Sequence, residues 1–290
     1  MSAPLRQRWL FSVAPGALWE IAFVGLPLVA IIIVSFLSRG DYGDIQRPFT
    51  ISNYQQLAGY GPLGFEPLYP VILARTIGLA LCTTILCALA ALPLAFFCAS
   101  VAGRSRTTAL ILLTIPAWTN LLVRTYAWQI LLGANGPIAL SGAKLGMLEP
   151  GTALYPSTLA VLLCLMCDYL PFAALPLYAS VEKLDHSLVE ATKDLGASRW
   201  NVFRHGIYPQ IKAGLWAGVI FVFLPSLGQF VIPDLLGGAR TVLLGNILQQ
   251  QFGTSRDWPF GSAIAVFTLL FIVAGVLVYS RKNKEGADLL

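Results

Sequence analysis

Charge is scarce in this chain of 290 residues. Only 11% of the residues are Asp, Glu, Lys or Arg, whereas charged residues make up about 25% of an ordinary soluble domain. Apolar residues reach 57% and are gathered in blocks, and the mean hydropathy of +0.72 is too high for one water-soluble core. Long apolar blocks are typical of membrane proteins. The composition therefore predicts an integral membrane protein.

Motifs that carry chemistry are also missing. The sequence has no nucleotide-binding loop of the G-x-x-x-x-G-K-[ST] type, and its two histidines, His186 and His205, lack metal-ligand spacing. The net charge of +5 comes without a basic patch interleaved with aromatics, which argues against nucleic-acid binding. Cys164 and Cys167 have the spacing of a redox or zinc pair. They lie in an apolar block without a second ligand pair, so we predict small, buried packing residues. We predict no enzymatic activity, no cofactor and no metal site.

Six apolar segments are each long enough to cross a bilayer, which takes about 20 residues. The sequence shows no internal repeat and no appended soluble domain, so we predict one all-α membrane domain over residues 1–290 with six transmembrane helices. Gly214 and Gly218 have the small-residue spacing that lets membrane helices approach closely. The predicted spans are Ala17–Leu37, Thr76–Ser100, Ala109–Leu132, Ser157–Tyr178, Ala213–Leu235 and Phe260–Tyr279.

The positions of lysine and arginine predict the orientation of these spans. With the N-terminus inside, the inner segments hold twelve Lys and Arg residues and the outer segments hold six. An excess of positive charge marks the cytoplasmic side. An even number of spans also returns the chain to the side where it began. We therefore predict that both termini are cytoplasmic.

The longest inner loop, residues 182–209, is patterned like folded structure. Ser187 and Glu190 have the spacing of a capping box, which predicts that Ser187 is the N-cap of a helix. Gly196 is predicted to end that helix in a turn with positive φ. Ser198 is then placed to cap a second short helix.

One face of the first loop helix carries an apolar stripe of Leu188, Ala191 and Leu195. A helix of this kind either lies on the lipid headgroups or offers a knob to a protein partner. The second interpretation is favoured because the other face is not strongly cationic. That face mixes Glu190, Lys193 and Asp194.

The same loop resembles the EAA loop of binding-protein-dependent ABC importer permeases. The pattern of that family is Glu-Ala-Ala, three residues, Gly, nine residues and then Ile-x-Leu-Pro. Glu190, Ala191, Gly196 and Pro209 occupy matching positions. The departures are Thr192, Gly206 and Tyr208. The resemblance implies that the loop couples the chain to an ATPase through Glu190, Ala191, Asp194, Leu195, Gly196, Ala197 and Pro209.

Four further stretches are similar to one branch of that family, the spermidine/putrescine importer permeases. The resemblance implies a six-span type I importer core of the MetI-like kind, with a cytoplasmic coupling helix, in a bacterial inner membrane. It also implies a second homologous permease, a cytoplasmic ABC ATPase dimer that supplies ATP hydrolysis, and a periplasmic substrate-binding protein. Polyamines would then cross by alternating access. The matching stretches are 116–128 (PAWTNLLVRTYAW), 169–178 (YLPFAALPLY), 230–238 (FVIPDLLGG) and 256–261 (RDWPFG).

A pathway for polycations should offer carboxylates and aromatic faces, the latter for cation–π attraction. For the aromatics, an interfacial belt and ordinary packing remain the alternative. Asp168 either serves as counter-ion for a substrate ammonium or pairs with Arg124, because the depths of the two residues differ by only about 4–5 Å. The pathway candidates are Trp118, Arg124, Tyr126, Trp128, Asp168, Tyr169, Phe230 and Asp234.

A second function stays open at this stage. An ion-coupled secondary transporter or channel for small cations or amino-acid-like solutes would have a similar composition. It would purify as a lone homo-oligomer, whereas an importer permease would bring an ATPase and a second permease. An intramembrane enzyme is a more distant alternative, because Asp168 has no histidine partner within the spans.

Overall fold

The structure is a computed structural model that describes residues 15–40, 43–61 and 64–287, without the side chains of residues 239, 240 and 278–287. Helices dominate, and five of them are long and apolar enough to cross a membrane. A further crossing, the third span, is obtained when two bent helices, Gly103–Trp118 and Leu121–Lys144, are counted as one. The first, second, fourth, fifth and sixth spans are Pro15–Ser35, Leu68–Ser100, Thr158–Val181, Arg199–Gly228 and Trp258–Leu277.

Shorter elements connect these spans. The bent third crossing contains the helices Leu121–Leu132 and Pro137–Lys144, and the last helix continues from Trp258 to Ala287. Two antiparallel hairpins pair β1 (Ser38–Arg39) with β2 (Ile45–Gln46) and β3 (Tyr60–Gly61) with β4 (Gly64–Phe65). The remaining elements are the helices Ser52–Leu57, His186–Asp194 and Leu244–Phe252, the π-helical turns Ile21–Gly25, Val202–Ile207 and Pro233–Gly237, and the 3₁₀ turn Gly238–Thr241.

Each predicted span overlaps an apolar helix, but several bounds differ. The second span begins at Leu68 rather than Thr76, because the helix continues through Arg75 and includes the apolar residues 68–74 before it. The fifth begins at Arg199 rather than Ala213 and ends at Gly228 rather than Leu235. Ser198 caps the short helix Arg199–Asn201 as predicted, but this helix is not separate from the fifth span. A π-helical turn at Val202–Ile207 precedes Pro209, which lacks a backbone donor, and the helix runs on into the membrane.

The chain divides into two compact units, Met1–Val71 with Ile247–Leu290, and Ile72–Asn246. In the first unit the first span packs along the last helix. Asn53 donates hydrogen bonds to the carbonyls of Ser35 (2.9 Å) and Leu37 (2.8 Å), which satisfies the end of the first span. Both units contribute spans, and the single membrane domain over residues 1–290 stays a prediction.

The second unit is built around the fourth span. Half of the residues in the most apolar stretch of this span are buried. The fifth span packs against it through the two glycines that the sequence singled out. A Cβ atom on Gly214 would clash with the Pro176 carbonyl, and one on Gly218 would lie 2.8 Å from the carbonyl oxygen of Ala173. The small-residue pair therefore brings two backbones into direct contact.

Gly218→Ala is expected to lower the melting temperature of the purified protein, because the added methyl group meets backbone and not a flexible side chain. Gly78→Ala is the matched control. Gly78 lies within the second span, and its added methyl group would meet nothing within 4 Å. Thermal unfolding in detergent should separate the two variants. Equal melting temperatures would contradict the close approach of the fourth and fifth spans.

The prediction that Cys164 and Cys167 are both buried is confirmed for Cys164 and wrong for Cys167. Cys164 is fully buried in the core of the second unit, but Cys167 is exposed. Three helical residues turn the side-chain direction to about 60° from the starting point, and this is enough to carry Cys167 off the buried face. Both cysteines are free thiols.

Candidate functional site

The loop between the fourth and fifth spans folds into the helix His186–Asp194, which we call the loop helix. Its N-cap is Asp185, whose carboxylate accepts a hydrogen bond from the backbone N–H of Ser187 (2.9 Å). The predicted capping box of Ser187 and Glu190 is therefore wrong, because the helix starts before Ser187. Hydrogen bonds from the Ser187 hydroxyl and backbone N–H lower the pKa of Asp185. The cap thus stays ionised at neutral pH, with its charge at the positive end of the helix dipole.

Gln210 fastens the loop helix to the fifth span. Its side-chain oxygen accepts from the backbone N–H of Asp185 (2.8 Å), and its amide nitrogen donates to the carbonyl of Gly206 (2.7 Å). Gly206 lies against the loop helix, since a Cβ atom there would be 2.9 Å from the Thr192 hydroxyl. Gln210 is not among the residues that the sequence predicted to be functional. A polar amide directly after Pro209 was the available signal.

The loop helix buries Val189 and leaves its predicted apolar stripe in the open. Leu188 is 53% exposed and Leu195 is 87% exposed. Exposed apolar groups on a small helix are typical of a protein-docking surface. Among the predicted coupling residues, Ala197 is half-buried, and those exposed are Glu190, Ala191, Asp194, Leu195, Gly196 and Pro209.

Gly196 ends the loop helix with φ of +71°, as the sequence predicted. A Cβ atom at this position would meet nothing within 4 Å, so the requirement for glycine is conformational and not steric. Ser198 follows as the N-cap of the fifth span, and its hydroxyl accepts from the backbone N–H of Asn201 (3.4 Å). The turn therefore joins two capped helices with one left-handed residue between them.

The third crossing is broken near its middle, where its two halves meet at 94°. Helix Gly103–Trp118 ends there, and Asn120 caps the start of helix Leu121–Leu132. The Asn120 side chain accepts from the backbone N–H groups of Leu122 (2.9 Å) and Val123 (3.4 Å). The predicted span over Ala109–Leu132 thus contains a sharp break, and the average hydropathy that located the span carries no information on this cap.

Arg124 connects both sides of this break. Its guanidinium donates to the carbonyl of Pro116 and to the hydroxyl of Thr119 (3.3 Å), and it forms an ion pair with Asp168 of the fourth span. Asp168 is only 6% exposed. Of the two interpretations open for Asp168, the structure thus contains the pairing with Arg124. A buried pair of this kind is costly to break by removing one partner.

A second helix break lies at the end of the fifth span. Gln229 caps the chain there, because its side-chain oxygen accepts from the N–H groups of Phe230 (3.1 Å) and Val231 (3.2 Å). Its amide nitrogen donates to the hydroxyl of Tyr169 (3.2 Å), which is buried. Gln129 of the third crossing donates to the carbonyl of Leu235 (2.7 Å) beyond the break. The amides at both breaks were missed, although each is a polar residue in an apolar segment.

The remaining pathway candidates differ in their surroundings within the second unit. Trp118 is 87% exposed and Tyr126 is 50% exposed, whereas Trp128 packs against the core of the second unit. Phe230 is 39% exposed beside the second break. Asp234 is exposed in the first turn of Pro233–Gly237. Six of the eight candidates therefore lie at or near the two breaks, and the other two, Tyr126 and Trp128, lie on the surface of the second unit and against its core. The six are Trp118, Arg124, Asp168, Tyr169, Phe230 and Asp234.

Comparison with known proteins gives consistent matches over nearly the whole chain. The model of the family "binding-protein-dependent transport system inner membrane component" matches residues 18–282. The spermidine/putrescine transport system permease protein PotB of Escherichia coli K12 is 37% identical over 266 residues, which cover 92% of this chain and 94% of that protein. The PotB protein of Haemophilus influenzae is 36% identical over 266 residues, with 92% and 91% covered.

Among solved structures, a chain of a bacterial alginate ABC transporter, crystallised with an alginate pentasaccharide-bound periplasmic protein, has a TM-score of 0.70. The match covers 94% of this chain and 93% of that one at 13% identity. At that identity the likeness shows a shared fold. A second alginate transporter structure gives the same TM-score with 97% of both chains covered.

Proposed function

We propose a transport function from one premise: this chain belongs to the family of binding-protein-dependent transport system inner membrane components. The family consists of transport subunits, and the fold is that of ABC importer permeases. We propose that the cargo is a polyamine, spermidine or putrescine. The observation that carries the proposal is the similarity, over more than nine tenths of both chains, to permeases of spermidine/putrescine transport systems.

The partners follow from the same proposal. A cytoplasmic ATPase dimer would bind the loop helix, a second homologous permease would complete the pathway, and a periplasmic protein would deliver the substrate. The exposed stripe at Leu188 and Leu195 supports the first of these, because it offers apolar surface without a partner in the described chain. The chain itself is proposed to be non-catalytic.

The structure suggests how ATPase motion would reach the membrane. The fifth span is one helix from Arg199, next to the loop, to Gly228 at the second break. Hydrogen bonds of Gln210 with Asp185 and Gly206 fasten the loop helix to the first half of the fifth span. A displacement of the loop helix would therefore move the fifth span as a rigid body, and packed elements transmit such shifts to the opposite end.

Within the pathway, we propose that the Arg124–Asp168 pair is structural. A substrate ammonium would have to displace a guanidinium that also holds the Pro116 carbonyl and the Thr119 hydroxyl. Asp234 and Phe230 are the better candidates for contact with substrate, because both are exposed beside the second break. An exposed carboxylate near an aromatic face suits a flexible polycation.

Uptake of labelled spermidine tests the proposed function. The chain would be expressed with its partner subunits in cells that lack their own polyamine importers, with putrescine, arginine and a sugar as competitors. We expect uptake that requires both the ATPase and the binding protein and that only the polyamines inhibit. Uptake that persists with an inactive ATPase and follows an ion gradient would establish the secondary-transporter alternative.

Cysteine labelling tests the proposed orientation. In a variant without the native cysteines, an impermeant thiol reagent added outside should modify cysteines placed at Lys144 and Arg256, because both lie in predicted outer segments. A cysteine placed at Glu190 should react only after the membrane is opened. The chain ends at residues 1–14 and 288–290 lie outside the described residues, so their cytoplasmic location stays a prediction. Labelling of the Glu190 position from outside would overturn the orientation.

A further inference from the structure

A groove with a volume of about 700 Å³ runs along the second unit, lined by the second span, helix Gly103–Trp118 and the fourth span. Most of its wall is apolar. Polar groups gather at one end, where Arg104, Ser105 and Thr108 lie. The volume is in the range of ligand sites in proteins. The apolar wall includes Leu94, Phe97, Leu112, Leu113, Leu170 and Pro171.

The polar end of the groove carries an uncompensated positive charge. Arg104 is exposed and has no carboxylate within ion-pair distance among the described residues. Arg106, two residues later, is compensated, because its guanidinium lies 2.8 Å from the Glu182 carboxylate. In the proposed orientation Arg104 lies at the cytoplasmic membrane surface. Anionic phospholipids are attracted to basic residues at this surface, and basic pockets between membrane helices bind their headgroups.

The length of the groove fits one leaflet of a bilayer. Along its helix it extends from Arg104 to Pro116, a rise of about 18 Å for 12 residues. The hydrocarbon core of a membrane is about 30 Å thick, so that one leaflet contributes about 15 Å. A transmembrane helix of a partner protein would need a groove that runs through the whole thickness of the membrane. The groove instead ends where the third crossing breaks.

We propose that this groove binds one anionic phospholipid of the cytoplasmic leaflet. The phosphate would bind the Arg104 guanidinium and the Ser105 hydroxyl, and an acyl chain would lie along Leu112 towards Pro116. A guanidinium beside an apolar wall complements a lipid, which has a charged head and an apolar tail. The proposal rests on the proposed orientation but not on the cargo, so that loss of polyamine transport would leave it standing.

Native mass spectrometry of the full-length chain in detergent tests the proposal. Titration with phosphatidylglycerol should show one lipid bound more tightly than the rest, and phosphatidylcholine should show no such site. Arg104→Gln should weaken the bound phosphatidylglycerol about fivefold, the effect expected for one basic residue near a membrane surface. Lys212→Gln is the matched control, since it removes an exposed basic charge of the fifth span that lies outside the groove.

A second pair of variants tests the apolar wall without changing charge. Leu112→Trp would fill the groove, and Leu112 is 63% exposed, so that folding should be preserved. Ile111→Trp is its control, because Ile111 is 53% exposed and does not line the groove. We expect loss of the tightly bound lipid in Leu112→Trp and retention in Ile111→Trp.

Three results would overturn the proposal. Unchanged phosphatidylglycerol binding in both Arg104→Gln and Leu112→Trp would show that the groove is not the site. Competition by glycerol 3-phosphate as strong as that by the whole lipid would show a site for a free anion. Complete loss of the lipid when the chain is purified with its second permease would show that a protein partner covers the groove.

Discussion

Gly196→Val is expected to insert and fold but to lose ATP-dependent uptake, either through uncoupled hydrolysis or through loss of the bound ATPase. The left-handed conformation at Gly196 costs an ordinary residue about 1–2 kcal/mol, and a β-branched residue is a genuine outlier there. A Cβ atom meets no neighbour, so the strain acts on the turn and not on the core. The expected result is a displaced loop helix on an intact membrane domain. Co-purification of the ATPase measures its binding to the variant, and uptake per assembled complex measures the coupling.

Gly196→Asn is the matched control for this experiment. Asparagine projects a side chain into the same open space but tolerates positive φ far better than valine does. We expect Gly196→Asn to retain the ATPase and most of the uptake. Wild-type uptake by Gly196→Val would remove this turn from the coupling mechanism. Equal losses in both variants would point to the surface at Gly196 as a contact in itself.

Asp168→Asn and Arg124→Gln are each expected to lower the yield of assembled complex severely. Each leaves one buried charge without its partner, which typically costs about 3–5 kcal/mol. The double variant should recover part of the yield, because neither charge remains. Recovery should be incomplete, because glutamine at position 124 cannot donate hydrogen bonds to both the Pro116 carbonyl and the Thr119 hydroxyl as the guanidinium does.

Arg124→Lys separates the charge from the geometry of this site. Lysine keeps the ion pair with Asp168 but is a single point donor without the planar fork of arginine. We expect an intermediate yield, above that of Arg124→Gln. Size-exclusion profiles and melting temperature should be compared with uptake per assembled complex. Normal assembly with lost uptake in Asp168→Asn, unrescued by Arg124→Gln, would instead assign Asp168 to the substrate.

Features that depend on averages over many residues could be predicted from the sequence, whereas features that depend on a single hydrogen bond could not. The apolar segments could be located because membrane insertion depends on summed hydrophobicity. The bend in the third crossing depends on one amide, Asn120, which competes with the helix for backbone donors. The start of the loop helix likewise depends on which of two good N-cap residues is used, and Asp185 prevails over Ser187.

The candidate site likewise contains some features that could be predicted from the sequence and others that could not. Pairing of Arg124 with Asp168 was foreseeable, because helix rise converts sequence position into membrane depth. The positive φ of Gly196 was foreseeable from its place at a helix end. The exposure of Trp118 was not, since an aromatic in an apolar segment packs equally well inside or outside. Gln210 and Gln229 were missed because each also has a partner distant in sequence, Asp185 for Gln210 and Tyr169 for Gln229.

The Arg124–Asp168 pair also has a consequence for how the protein is made. Asp168 is synthesised 44 residues after Arg124, which at about 5–20 residues per second is a delay of roughly 2–9 s. The third crossing therefore meets the translocon with an unpaired cation, and we expect stable integration only with the arrival of the fourth span. Test chains whose only apolar segment is residues 103–156 should be extracted from microsomes by alkali, whereas chains that carry residues 103–181 as their only apolar segment should be retained. Equal retention would show that the third crossing inserts alone.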